Sequence, residues 1–279
     1  MPCRLPLASF LLTLPAAAAP YVVPPPPLLS SAAATCVATV CFPVTNPGVT
    51  LDAGTAFATS SQTGAGGTAF TMSSTAISGF GTLQAGSSLT MTSYASGTLT
   101  YETIAEAFFR EVLTVNTGAF FVPIFTITGS FVDQDGGRPG NAAPYADLVV
   151  TTRTGDTAAE RVSETCVLTG SNTCTFSPRP VIAGNPFVFA VALFTMAQVQ
   201  PNAGGVLASG VLKAEANFLG TVALTGIQIL DANGSPITTF QITSGSGQLY
   251  TADGAVPEPG AFGLLGGGLL ALAVWRRRR

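Results

Sequence analysis

The chain has 279 residues, of which only 9% are charged, against roughly 25% in ordinary soluble domains. Five of its eleven basic residues are Arg4, Arg276, Arg277, Arg278 and Arg279; the rest of the chain carries six basic residues against fourteen acidic ones, a net of −8. That acidic body has no basic stripe to neutralise phosphates, which argues against a nucleic-acid partner, and the absence of histidine removes Ser-His-Asp and Cys-His nucleophiles.

Residues 1–19 read as a signal peptide. Arg4 supplies the positive start, residues 5–14 are mostly apolar, and Ala16, Ala17, Ala18 and Ala19 offer the small residues that signal peptidase needs. Cleavage is expected near Ala18. The apolar stretch is too short to span a bilayer, which needs about 20 apolar residues. Residues 20–47 begin with a proline-rich stretch, Pro20 to Pro27. They are expected to form an extended N-terminal arm.

Residues 48–254 form the expected ectodomain. Its apolar content is high and its charge scarce, which suits a β-rich fold with short turns. Weak strands are expected over 69–75 and 89–94. Residues 101–115 are ambiguous. Glu102, Glu106 and Arg110 recur at helical spacing, whereas Phe109, Leu113 and Val115 alternate with Arg110 and Thr114 in strand fashion. Strand is the expectation, continuing into a strand at 120–128. Further strands are expected at 148–152, 162–168, 187–194 and 219–230. Asn233-Gly234 predicts a type I′ hairpin between 227–230 and 237–243, with Pro236 where a missing donor does least harm. Together these predict an all-β fold, an antiparallel β-sandwich of jelly-roll-like form.

Cys3 leaves with the signal peptide, so four cysteines remain, Cys36, Cys41, Cys166 and Cys174. Three connectivities are open. The two local bridges are favoured because short loops close at low entropic cost, with Cys166 and Cys174 joined across a hairpin around Gly170-Ser171-Asn172. No pair has C-x-x-C spacing and no histidine completes a metal site.

Candidate chemistry is sparse. Glu102, Glu106 and Glu111 could supply a carboxylate pair for glycoside cleavage, and on a strand Glu102 and Glu106 share a face. A solvated strand face is the expectation. The only tryptophan is Trp275, so a sugar platform would need Tyr94, Tyr145 and Tyr250. Asp133-Gln134-Asp135-Gly136-Gly137 resembles part of a calcium loop, but the twelfth position from Asp133 is Pro144 rather than glutamate. A local calcium turn of Asp133, Asp135 and Asp147 is the weaker reading, a polar loop the stronger. Neither a cofactor nor a metal is expected.

Residues 255–279 have three parts. Val256-Pro257-Glu258-Pro259 is a stiff, extended break, followed by a glycine-rich apolar segment ending at Trp275 and by Arg276, Arg277, Arg278 and Arg279. The arginines would remain cytoplasmic by the positive-inside rule, leaving the preceding domain outside the inner membrane on a single transmembrane helix. This order of parts resembles the PEP-CTERM sorting signal. The resemblance implies Sec export with signal peptidase, recognition by an exosortase, removal of the tail, and a Gram-negative host that often makes exopolysaccharide. The stretches 113–118 and 214–234 are also similar to strands of PEP-CTERM ectodomains. The expectation is a non-catalytic exported envelope or extracellular protein, inner-membrane-anchored until processed, with exopolysaccharide as a candidate associate. A carbohydrate-binding β-sandwich is the alternative, and a carboxylate-dependent glycoside-active enzyme a third.

Overall fold

The computed structural model describes residues 27–37, 40–49, 56–64, 69–94, 99–134, 140–154, 161–201 and 208–256. The N-terminal half runs through β1 (Leu28–Val37), β2 (Val40–Val49), β3 (Ala56–Gly64), β4 (Ala69–Gly79), β5 (Thr82–Tyr94), β6 (Tyr101–Val115), β7 (Phe120–Gln134) and β8 (Gly140–Arg153). It continues through β9 (Arg161–Val167), β10 (Asn172–Thr175), β11 (Arg179–Pro180), β12 (Pro186–Pro201) and β13 (Ala208–Leu230). Four short strands close it, β14 (Pro236–Ile237), β15 (Ile242–Ser244), β16 (Leu249–Thr251) and β17 (Gly254–Val256).

All the pairings are antiparallel, and they form two main sheets. One has the order β2-β1-β6-β12-β8-β9, with β15 also on β6; the other is β10-β7-β13-β5-β4-β3, with β11 on β7 and β14 on β13. The chain passes from one sheet to the other at β2–β3, β5–β6, β6–β7, β7–β8, β9–β10, β11–β12, β12–β13 and β14–β15. This is the expected all-β, two-sheet sandwich with jelly-roll-like crossings. The strand expected at 101–115 is β6, at the centre of its sheet. Alternation won over the helical spacing of the acids because Ala105, Ala107, Phe109, Leu113 and Val115 all enter the core from one face.

The interior has two textures. Toward β7 and β12 it is filled by phenylalanines. Phe121 meets Phe187 and Phe189 with ring centroids 5.2 Å apart, and Phe109 meets Phe189 edge-on at 5.7 Å. Toward β1 and β4 it is built from serine and alanine, and hydroxyls cross directly between sheets. Ser78 Oγ donates to the Ser30 carbonyl at 2.6 Å and accepts from the Phe108 N–H at 2.9 Å. Ser74 Oγ donates to the Ala34 carbonyl, and Ser87 Oγ to that of Thr195. A hydroxyl this short reaches the facing main chain only where the sheets lie closer than the roughly 10 Å of ordinary sheet stacking.

Several expectations are corrected. Residues 28–47 of the expected arm are β1 and most of β2. From Ser31 to Cys36 β1 is buried on both faces, so it shows no polar alternation to mark it. The 233–234 turn is a five-residue loop, with Leu230 paired to Pro236. The Gly234 N–H donates to the Asp231 carbonyl at 3.1 Å and the Asp231 N–H to the Ser235 carbonyl at 2.9 Å, while Asp231 Oδ1 accepts the N–H groups of Asn233 and Ser235, each at 2.8 Å. The hairpin ends at Ile237, which pairs with Ile229; residues 238–243 do not extend it, and the chain crosses to the other sheet, where β15 pairs with β6.

The Cys166–Cys174 disulfide forms, but not across a hairpin. Cys166 lies on β9, which pairs with β8, and Cys174 on β10, which pairs with β7. The bond therefore staples the two sheets at one edge. Glu164 reinforces it, accepting from Arg179 Nη2 at 2.7 Å and from the Ser177 N–H at 3.0 Å. Cys36 is also disulfide-bonded, and the β1–β2 register places it opposite Cys41.

Replacing Cys166 and Cys174 together by alanine is expected to cost about 2–3 kcal/mol, the value for so short a loop. Urea unfolding reads this as a lowered midpoint, and an unchanged midpoint contradicts the staple.

Candidate functional site

The acids of β6 divide between its two faces. Glu102 and Glu106 share the outward face, as strand parity predicts, while Glu111 enters the inward row between Phe109 and Leu113. The expected solvated strand face is corrected, since all three carboxylates are buried. β6 is flanked on both sides by long strands, β1 and β12, and Ile104 and Phe108 bracket Glu106 in its own row. Sequence spacing reports facing but not the cover given by neighbouring strands.

Glu102 accepts from Gln198 Nε2 at 3.4 Å. Burial raises its carboxyl above the ordinary range, partly offset by that bond. Glu106 is 6% exposed, and its Oε2 has no hydrogen-bond partner. Burial, then the charge of Asp147, pushes it from 4.5 to about 7. Asp147 lies two strands away, with Phe194 of β12 in register between it and Glu106, and it accepts from Tyr145 Oη at 3.0 Å. Tyr145 also packs on Phe194.

Glu111 is fully buried and organises the C-terminal strap. Its carboxylate accepts from the Val112 N–H at 2.9 Å, the Ser246 N–H at 3.1 Å, the Ser246 hydroxyl in a very short bond, and Tyr250 Oη at 3.5 Å. Burial raises its carboxyl, and these bonds pull it back. Tyr250 is held well above its ordinary value by burial and by Glu111. No sequence motif marks this node; its only sign is a charged residue in an otherwise apolar inward row. The three β6 acids therefore do not converge on one site.

The remaining candidates separate in the same way. Asp133 is exposed near the end of β7, Asp147 is on the other sheet, and Asp135 lies outside the described residues. Among the described residues no group of three or more His, Cys, Asp or Glu could hold a metal. The tyrosine platform is not assembled by the residues that can be placed. Tyr250 is in the core and Tyr145 is tied to Asp147, while Tyr94 is described only as the end of β5.

An open cleft of about 510 Å³ lies beside the strap, lined by residues 238–243 and 250–252. Next to it, β16 and β17 form the last hairpin, pairing Leu249 with Val256. That hairpin lies on β13, where the Ile227 N–H donates to the Ala252 carbonyl at 3.0 Å. Gly254 has φ 93°, and a Cβ there would overlap the Leu224 carbonyl, so only glycine fits. Val256 ends the last strand. Pro257, Glu258, Pro259, Trp275, Arg276, Arg277, Arg278 and Arg279 lie outside the described residues, as do the expected signal peptide and transmembrane helix.

The described residues define a two-sheet β-sandwich with a last hairpin, β16–β17, that ends at Val256. Residues 255–279 match the PEP-CTERM protein-sorting motif. The chain thus carries the C-terminal signal of an exosortase substrate, which supports export to the surface or beyond. No curated protein sequence matches the chain. Among solved structures, it is similar at 14% identity and a TM-score of 0.20 to one described as "Structural basis for the promiscuous specificity of the carbohydrate-binding modules from the beta-sandwich super family". That likeness covers 68% of this chain and 73% of the other and carries no statement about a ligand.

Glu106 fixes a pH dependence. Between its ordinary value of 4.5 and about 7, the folded state keeps a proton that the unfolded state releases, so stability falls as pH rises through that window. Glu102, Glu111 and Asp147, all raised, add to the same slope. Glu106→Gln is expected to exceed the parent in stability near pH ~8 by on the order of 3 kcal/mol, and to match it near pH ~4. Urea midpoints at the two pH values measure this; no gain at the higher pH contradicts a buried, unpartnered carboxylate.

Proposed function

We propose that this is a non-catalytic envelope protein, exported through the Sec route, held at the inner membrane by its C-terminal segment, and released to the cell surface or medium when an exosortase removes that segment. The sorting motif at 255–279 is the observation that carries this reading. Its setting supports it. The motif begins in β17, which pairs only with β16 outside the two main sheets, so removing the tail leaves the pairing of both main sheets intact. The disulfide between sheet edges suits an oxidising compartment. The acids of β6 are spread over two faces and mostly bound within the fold, which favours a structural role for them over glycoside chemistry. Association with exopolysaccharide is the role proposed for the mature sandwich, in keeping with the hosts in which such signals occur.

In the native host, an internally tagged chain is expected to lose its C-terminal segment and leave the inner membrane. The variant with Pro257, Glu258 and Pro259 all changed to alanine is expected to stay there at full length. Mass and cell fraction read the difference, and two full-length, membrane-held proteins contradict the proposal.

A further inference from the structure

We infer that, while the tail is attached, the end of the sandwich formed by residues 238–243 and Leu249 rests on the lipid surface of the inner membrane. This rests on the reading of the tail as a membrane anchor. The first argument is reach. Only Pro257-Glu258-Pro259 separates Val256 from the apolar segment that begins at Gly260. Even fully extended, that connection spans at most about 14 Å. The headgroup layer on one side of a bilayer takes up about 5–7 Å of it. The hairpin that delivers Val256 is fastened to β13 through Ala252 and Gly254, and the strap before it is fastened to the core through Glu111. The folded body therefore cannot stand off from the bilayer.

The second argument is the chemistry of the surface that faces it. From Ala232 to Ala252 the chain has no charged residue, in a body of net −8. Thr238, Thr239, Gln241 and Thr243 are exposed around the cleft. Leu249 is 60% exposed and sits opposite Val256, at the tail end of the hairpin. Asp253, the one charge between 232 and 256, lies in the hairpin turn, beside Thr251 and Ala252 at the edge of the cleft. A surface of hydroxyl and amide groups with an outward leucine can enter the interface at little desolvation cost as long as Asp253 at its edge stays in water, and leucine burial there is favourable. Elsewhere an exposed leucine needs no explanation; here it lies beside the point of membrane attachment.

Hydrogen exchange of the full chain in phosphatidylethanolamine–phosphatidylglycerol nanodiscs tests this, against the same full chain with a long glycine–serine spacer inserted between Val256 and Pro257. Slower exchange is expected over 238–252 in the parent, with that protection lost in the spacer chain and the remaining strands unchanged. Leu249→Asp, at a position exposed enough to leave folding intact, is expected to lose part of the same protection. Equal exchange over 238–252 with both chains held in the discs overturns the surface contact and leaves the anchor standing. A parent chain that does not enter the discs overturns the anchor reading and the contact with it.

Discussion

The architecture depends on how closely its two sheets approach each other. On the β1–β4 side, Ser74 and Ser78 bond the main chain of β1, and farther in Ser87 bonds that of β12. Each hydroxyl is buried, so each bond also satisfies a group that would be costly if left alone. A methyl-sized side chain opposite a serine permits this approach, whereas a leucine would wedge the sheets apart. On the β7–β12 side the phenylalanine cluster fills a wider interior. The unusual composition follows from this wedge. Alanine, serine and threonine are abundant because a thin interior must be lined with small side chains.

That wedge also explains what could be read from the residues alone. Strands with apolar–polar alternation, such as β6 and β12, were legible, as was the all-β class. β1 was not, because Ala32, Ala33 and Ala34 are buried on both faces and look like a small-residue linker. The loop at 231–235 shows a different limit. Asn233-Gly234 correctly marked a turn, but the turn closes on Asp231, whose main chain bonds Gly234 and Ser235 and whose carboxylate accepts from Asn233 and Ser235, a choice the dipeptide does not encode. The Cys166–Cys174 pairing was legible from spacing, whereas its role was not. Eight residues suffice to cross from one sheet edge to the other, and only topology tells such a crossing from a hairpin.

The candidate site divides the same way. The sorting tail was legible because its three parts occur in a fixed order within one short segment. The burial of Glu102, Glu106 and Glu111 was not, since it depends on β1 and β12, distant in sequence from one or the other. Glu111 acquires its meaning only through Ser246 and Tyr250, more than a hundred residues later. That node matters to function because it fixes the strap that leads into β16 and β17. The strap and the last hairpin are thus tied to the core up to the residues where the sorting motif begins.

The central claim is that a complete, oxidised sandwich is separated from its tail at this junction. Intact mass spectrometry of the wild-type protein collected from outside the inner membrane tests it most directly. The account predicts a chain that lacks both the N-terminal leader and the apolar, arginine-ended segment, and whose mass rises on reduction by the protons of its disulfides. A collected protein that still carries Trp275 and the four terminal arginines would contradict it.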